Sequence, residues 1–261
     1  MPLVSKYSLR FAASVLVLKA ALADPFPAIG VEPQVPSSGS TGAQPGAAGS
    51  GGSAGAVQGV VEYKADASRS WKLSRYYLQG ATGTLAESVV ALEGGSLGAF
   101  APSAPLQTQA IDQVSFQFVP ETTAVRAGDS VRISNEDDAL HNVMTSDGGR
   151  PFNVNVVKGQ EFIHTFDHAG GLAEPIRLGC VFHGGMRAWI YVFDHPWFKV
   201  TGRDGRFFFE HVPPGRYTLA VVHPAGKLRW SRQVEVKPNE TTPAAILLSP
   251  DDLIGSKNKS D

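Results

Sequence analysis

The sequence predicts an all-β protein, a β-sandwich joined to a second, smaller β-sandwich. Three observations carry that expectation. Short runs of alternating apolar and polar residues recur, as in Val114-Ser115-Phe116-Gln117-Phe118 and around Ile176, Leu178 and Cys180. A period of two puts alternate side chains on one face of a strand. Glycine and proline are abundant, 28 and 18 of 261 residues, and they separate the runs at turn positions. Hydrophobic residues make up 43% of the chain and charged residues 18%, enough apolar surface to build packed cores.

Residues 1–23 read as a secretory signal peptide. Lys6 and Arg10 give a positive start, Phe11 to Leu18 an apolar core, and Ala21-Leu22-Ala23 a small-residue cleavage site. The apolar run is too short to span a bilayer, so no transmembrane span is expected in the mature chain. The expected location is export to a periplasmic or extracellular space. Cleavage removes Lys6, Arg10 and Lys19 and no acid, leaving a mildly acidic chain. The full-length net charge of −1 offers no basic surface for nucleic acid.

Residues 24–56 read as a flexible linker, proline-rich first and then a tract of Gly, Ser and Ala with nothing to bury. Val57–Val61 and Ser88–Leu92 read as strands, with a polar stretch between them that fits no element. Residues 94–105 read as a connector. Within 106–195, strands are expected at Val114–Phe118, Val125–Ser134, Phe152–Val157, Glu161–Phe166, Ile176–Cys180 and Trp189–Phe193. Within 197–249, Asp204-Gly205 reads as a hairpin turn. Pro213-Pro214-Gly215 reads as a type II turn with Gly215 left-handed. The tail, 250–261, is polar and reads as disordered.

Chemistry concentrates in Gly179-Cys180-Val181-Phe182-His183-Gly184-Gly185-Met186. Cys180 is the single cysteine, so it has no partner for an internal disulfide. A lone thiol outside the cytoplasm is an oxidation liability unless buried or ligated. A thiolate, an imidazole and a thioether within one loop suit copper. A second imidazole, His141, sits where the strand Asp129–Ser134 runs out into a loop. Two nitrogens, a thiolate and a weak thioether are the ligand types of a blue-copper electron-transfer site.

The Cys180-x-x-His183-x-x-Met186 spacing, the His141-Asn142-Val143 segment and the Val125-to-Asn135 pattern resemble the cupredoxins, the amicyanin- and plastocyanin-like blue copper proteins. The resemblance implies a Greek-key sandwich over 106–195. It also implies one type 1 copper site with ligands His141, Cys180, His183 and axial Met186. The Asn142 backbone N–H is then expected to reach the Cys180 sulfur, and Asn135 to tie the two ligand loops together. Phe182 stands where amicyanin has proline, so a second N–H to sulfur is expected. Ala188 departs from the glycine found two residues after the Met in many members. Separately, Thr201 to Tyr217 resembles the carboxypeptidase regulatory-like family of small β-sandwiches. That implies a domain split into 57–95 and 197–249, with tandem independent domains as the alternative.

The function expected from these resemblances is single-electron transfer to and from a redox partner protein of unknown identity. The alternative is a copper-binding or adhesion module with no electron-transfer role. An enzyme is disfavoured: the sequence has no His-x-His pair, no second cysteine for a binuclear centre, no nucleophile elbow and no phosphate loop. No catalytic residue is assigned. His164 and His168 alternate on a strand rather than a helix and read as surface residues. Glu136-Asp137-Asp138 reads as a solvated loop.

Overall fold

The computed structural model describes residues 53–66, 83–94, 97–100, 104–147 and 150–255. The signal-peptide segment, most of the linker and the stretch 67–82 lie outside them. The described chain opens with β1 (Gly55–Tyr63) and β2 (Val89–Glu93), then a four-residue helix α1 (Leu97–Phe100). Next come β3 (Thr108–Val114), β4 (Gln117–Val119), β5 (Thr122–Arg126), β6 (Ser130–Asn135), β7 (His141–Thr145) and β8 (Phe152–Val156). β9 (Glu161–Thr165), β10 (Ile176–Gly179) and β11 (Arg187–Phe193) follow. The last strands are β12 (Phe198–Val200), β13 (Arg206–Val212), β14 (Gly215–His223), β15 (Leu228–Val236), β16 (Thr241–Pro243) and β17 (Ile246–Leu248).

The fold is all-β, a two-sheet sandwich plus a second β unit. In the first, the sheet β5-β11-β10-β7-β8 faces the sheet β4-β3-β6-β9. Ile111, Phe118, Val131 and Ile133 from one sheet meet Val143, Leu178, Ala188, Ile190 and Val192 from the other. In the second, the sheet β12-β2-β14-β15 faces β13-β1-β16, with β17 also paired to β1. Val57 and Val61 of β1 pack there against Val90, Leu92, Leu219 and Val221. β1 and β2 thus pair with strands that follow residue 197, across the whole intervening sandwich.

Three strands are buried on both faces, and their alternation explains why. In β2, Val90 and Leu92 enter the second core while Val89 and Ala91 point the other way. In β14, Leu219 and Val221 point inward while Ala220 and Val222 point out. In β11, Ile190 and Val192 enter the first core while Tyr191 and Phe193 turn away from it. The outward sets meet in a third apolar cluster, with Leu172, that joins the two sandwiches. Each Val, Leu, Ile or Phe among them contributes about 1.5–3 kcal/mol on burial.

Several local expectations are revised. Val114–Phe118 is not one strand. Ser115 and Phe116 have φ of 53° and 58°, so the chain turns between β3 and β4, which pair with each other. Asp204-Gly205 does not close a hairpin. β12 pairs with β2 and β13 with β1, so the turn passes between sheets. Gly205, at φ 66°, accepts from Val61 N through its carbonyl at 2.8 Å, and a Cβ there would lie 2.4 Å from Val61 O. Gly215 is not left-handed. It opens β14, and the space of its missing side chain is taken by the Tyr217 ring, whose hydroxyl donates to Pro213 O at 2.8 Å. Gly55 and Ala56, read as linker, already lie in β1.

The tail is ordered as far as residue 255. Ser249 caps a 3-10 turn, Pro250–Asp252, and its own backbone N–H donates in return to the Asp252 carboxylate. Leu253 packs on the second core, and Ile254 N donates to Lys227 O at 2.7 Å. A capping box satisfies the backbone donors that a polar tail otherwise leaves to water.

Candidate metal centre

The centre lies where β7 begins and β10 ends. β7 and β10 run antiparallel with Met144 opposite Gly179. Counting along that register brings position 141 level with the loop that follows Cys180. β10 alternates as expected, with Ile176 and Leu178 buried and Arg177 exposed, so Cys180 continues the inward face at 5% exposure. The loop then turns over Gly184-Gly185, closed by Met186 N donating to His183 O at 2.9 Å, and enters β11. Ala188 does not disturb that strand: it is fully buried and pairs with Leu178.

His141, Cys180 and His183 come together. Their donor atoms all lie within 4.8 Å of one another. The Nδ1 atoms of the two imidazoles are 3.1 Å apart, and the Cys180 sulfur is 3.6 Å from His183 Nδ1. His141 is fully buried, Cys180 nearly so, and His183 is half-buried. Met186 is buried in the same apolar cluster as Cys180. One thiol and two imidazoles form a set taken by zinc or copper. A thioether, which Met186 of the same cluster could supply, is a poor zinc ligand and a good soft neighbour for copper, so the donor chemistry fits copper.

The second imidazole nitrogen of His141 is held by Asp137, with Nε2 2.7 Å from Oδ2. An ionised carboxylate only accepts, so Nε2 carries the proton and Nδ1 turns its lone pair toward the cluster. Burial acts to raise the Asp137 carboxyl. The N–H groups of Phe116, His141 and Ser115 outweigh it and hold the group below its ordinary value. Asp137 was expected to be a solvated loop residue. The signal that distinguishes it is its place four residues before a histidine in a short loop, beside Asn135, whose Oδ1 accepts from Asp137 N at 2.9 Å.

The sulfur accepts the Asn142 backbone N–H at 3.3 Å, as the resemblance implied. Phe182 N does not reach it: among the described residues Asn142 N donates to Sγ, and the other polar atom in contact with Sγ is His183 Nδ1. The tie between the ligand loops also differs. Asn135 bonds within its own loop, to Ala139 O at 2.9 Å, and to Val156 O at 2.8 Å. It is Asn142 whose side chain crosses to the cysteine loop, accepting from Val181 N at 3.4 Å while its Nδ2 donates to Val154 O at 3.2 Å.

Two phenylalanines lie against the half-buried imidazole. Phe116 sets its ring edge-on to both histidines, 5.3 Å from His141 and 4.8 Å from His183. Phe182 lies 6.5 Å from His183. Phe116, Leu140, Val181 and Phe182 are all exposed. Phe116 reaches the centre because residues 115–116 form a turn, which its reading as mid-strand hid. Away from the centre, His168 is exposed and paired with Glu174. His164 is half-buried against Phe152 and Phe166, which corrects its reading as a surface residue. Burial, with Arg150 nearby, pushes its imidazole below the ordinary value. Among the described residues no helix is long and apolar enough to cross a membrane.

No protein-family profile matches this chain, and no curated protein does. Among solved structures, it is similar to an oxidised variant of amicyanin at 25% identity, covering 33% of this chain and 81% of that one with a TM-score of 0.30. A purple cupredoxin from Nitrosopumilus maritimus is 22% identical over 32% of this chain and 98% of its own, with a TM-score of 0.28. A Cu(I) form of another amicyanin variant is 20% identical over 40% of this chain and 97% of its own, with a TM-score of 0.30.

Proposed function

We propose that this chain binds one copper ion through His141, Cys180 and His183, with Met186 as a fourth, weaker donor, and carries single electrons between protein partners. The convergence of two imidazole nitrogens and one buried thiol, with a backbone N–H aimed at the sulfur, supports the reading. When bound, copper supplies the one-electron chemistry. The chain's own residues do the rest. The two packed sheets and Asn142 hold Cys180 and His141 in one geometry, so that little rearrangement accompanies a change of charge. The half-buried edge of His183 is the route to the surface. Phe116, Leu140 and Phe182 exclude water there and offer an apolar face to a partner. Catalysis is not part of the proposal.

The same reading extends to the rest of the chain. Residues 57–95 and 197–249 are proposed as one carboxypeptidase regulatory-like sandwich split by the copper domain. The pairing of β1 and β2 with strands after residue 197 supports this. Residues 1–23 are proposed to direct export, so that the redox partner is met outside the cytoplasm.

Titration of the purified, metal-free protein with Cu(II) tests the proposal. An intense visible band from sulfur-to-copper charge transfer is expected, saturating at one equivalent and absent from Cys180→Ser. A folded protein that shows no such band favours the adhesion-module reading.

A further inference from the structure

We infer that Asp137 is the positioning residue that sets the balance of the centre between the two oxidation states of copper, acting through the remote nitrogen of His141. This rests on the copper reading above and adds to it a residue that makes no contact with the metal.

Asp137 is clamped from several sides. Its carboxylate takes His141 Nε2 at 2.7 Å, Ser115 N at 2.7 Å and Phe116 N at 2.9 Å. Its own backbone N–H is fixed by Asn135 Oδ1. Asn135 is fully buried and anchored to β8 through Val156 O. A carboxylate so held has one orientation, and so has the imidazole it faces. The same two oxygens hold the 115–116 turn, which carries the Phe116 ring against both histidines. One acidic side chain therefore fixes the tautomer of the buried ligand and the apolar cover over both imidazoles.

The electrostatic consequence has a sign. A negative charge on the far nitrogen raises the basicity of the near one and attracts the more highly charged metal ion more strongly. It thus favours Cu(II) over Cu(I) and lowers the reduction potential. Asp137→Asn keeps the shape and an accepting oxygen but removes the charge. Affinity for Cu(II) is expected to fall about 10- to 100-fold, with a smaller loss for Cu(I) and a higher potential.

The experiment is a pair of competition titrations, Cu(II) alone and Cu(I) alone, with a redox titration on wild type and Asp137→Asn. A Cu(II)-to-Cu(I) affinity ratio that falls, with a matching rise in potential and the visible band retained, supports the inference. Equal losses for both ions, or an unchanged ratio and potential, overturn it, because a purely structural role weakens both alike. Should the variant fail to fold, NMR of the wild-type Cu(I) protein decides. A slowly exchanging, downfield His141 Nε2–H is expected, and an Nε2 without a proton overturns the inference. A wild type that takes up copper without the visible band would instead sink the reading on which this one stands.

Discussion

The backbone N–H of Asn142 points at the sulfur of Cys180 across 3.3 Å, two positions 38 residues apart in the chain. The neighbour of one candidate ligand therefore fixes the other. The Asn142 side chain completes the joint. Its oxygen accepts from Val181 N, and its nitrogen contacts Asn153, Val154 and Asn155 on the next strand. Asn142→Ala keeps the N–H to sulfur but strands buried polar groups on both sides. Metal-free protein should lose about 1–3 kcal/mol in urea unfolding. An unchanged midpoint would show that the joint is not under load.

The exposed apolar face around His183 should control traffic and not colour. Phe182→Asp places a charge in that face, at the rim of the His183 ring, and leaves the thiol and both imidazoles themselves in place. The visible band of the copper-loaded protein should stay where it is, while electron self-exchange should slow by about tenfold, the effect of removing one apolar anchor at a contact. A shifted band with an unchanged exchange rate would contradict this division of labour.

The third cluster should make the two sandwiches unfold together. Phe193 is 2% exposed and stacks on Phe198 at 4.5 Å. Phe193→Ala is expected to cost about 3–5 kcal/mol and to split the calorimetric transition in two. A single transition at the wild-type temperature would mean that the cluster contributes little.

His223 supplies a pH dependence that does not involve the candidate metal centre. It is fully buried, its Nδ1 accepts from Gly226 N at 2.9 Å, and burial pushes its imidazole down to about 4. The unfolded chain takes up this proton near 6.5 and the folded chain only near 4, so between those values the unfolded state binds more protons. Stability should fall as the pH drops through that window, by roughly 3 kcal/mol in all from this group. Denaturant unfolding of wild type and His223→Gln from pH 7 to pH 4 checks it. The variant should show the shallower slope, and parallel profiles would contradict the assignment.

The Cys180–His183 half of the cluster was legible because it is local. The two lie three positions apart, and the alternation of Ile176 and Leu178 already aimed the thiol inward. The strands were legible for the same reason, since a period of two is written into neighbouring residues. What failed depended on partners distant in sequence. Val114–Phe118 alternates like one strand, but Asp137 takes the Ser115 and Phe116 N–H groups and stabilises a turn. Asp204-Gly205 has the composition of a hairpin, yet Val61 claims the Gly205 carbonyl and draws β13 to another sheet. Asp137 itself looked solvated because acidity alone does not reveal that three donors converge on it. The tail looked disordered because its capping box is followed by only two apolar residues, Leu253 and Ile254.

X-ray absorption at the copper edge of the loaded protein decides whether the thiolate holds the metal. One short copper–sulfur distance together with two imidazole nitrogens is expected, and loss of that sulfur shell in Cys180→Ser. Coordination by nitrogen and oxygen alone in the wild-type protein would contradict it.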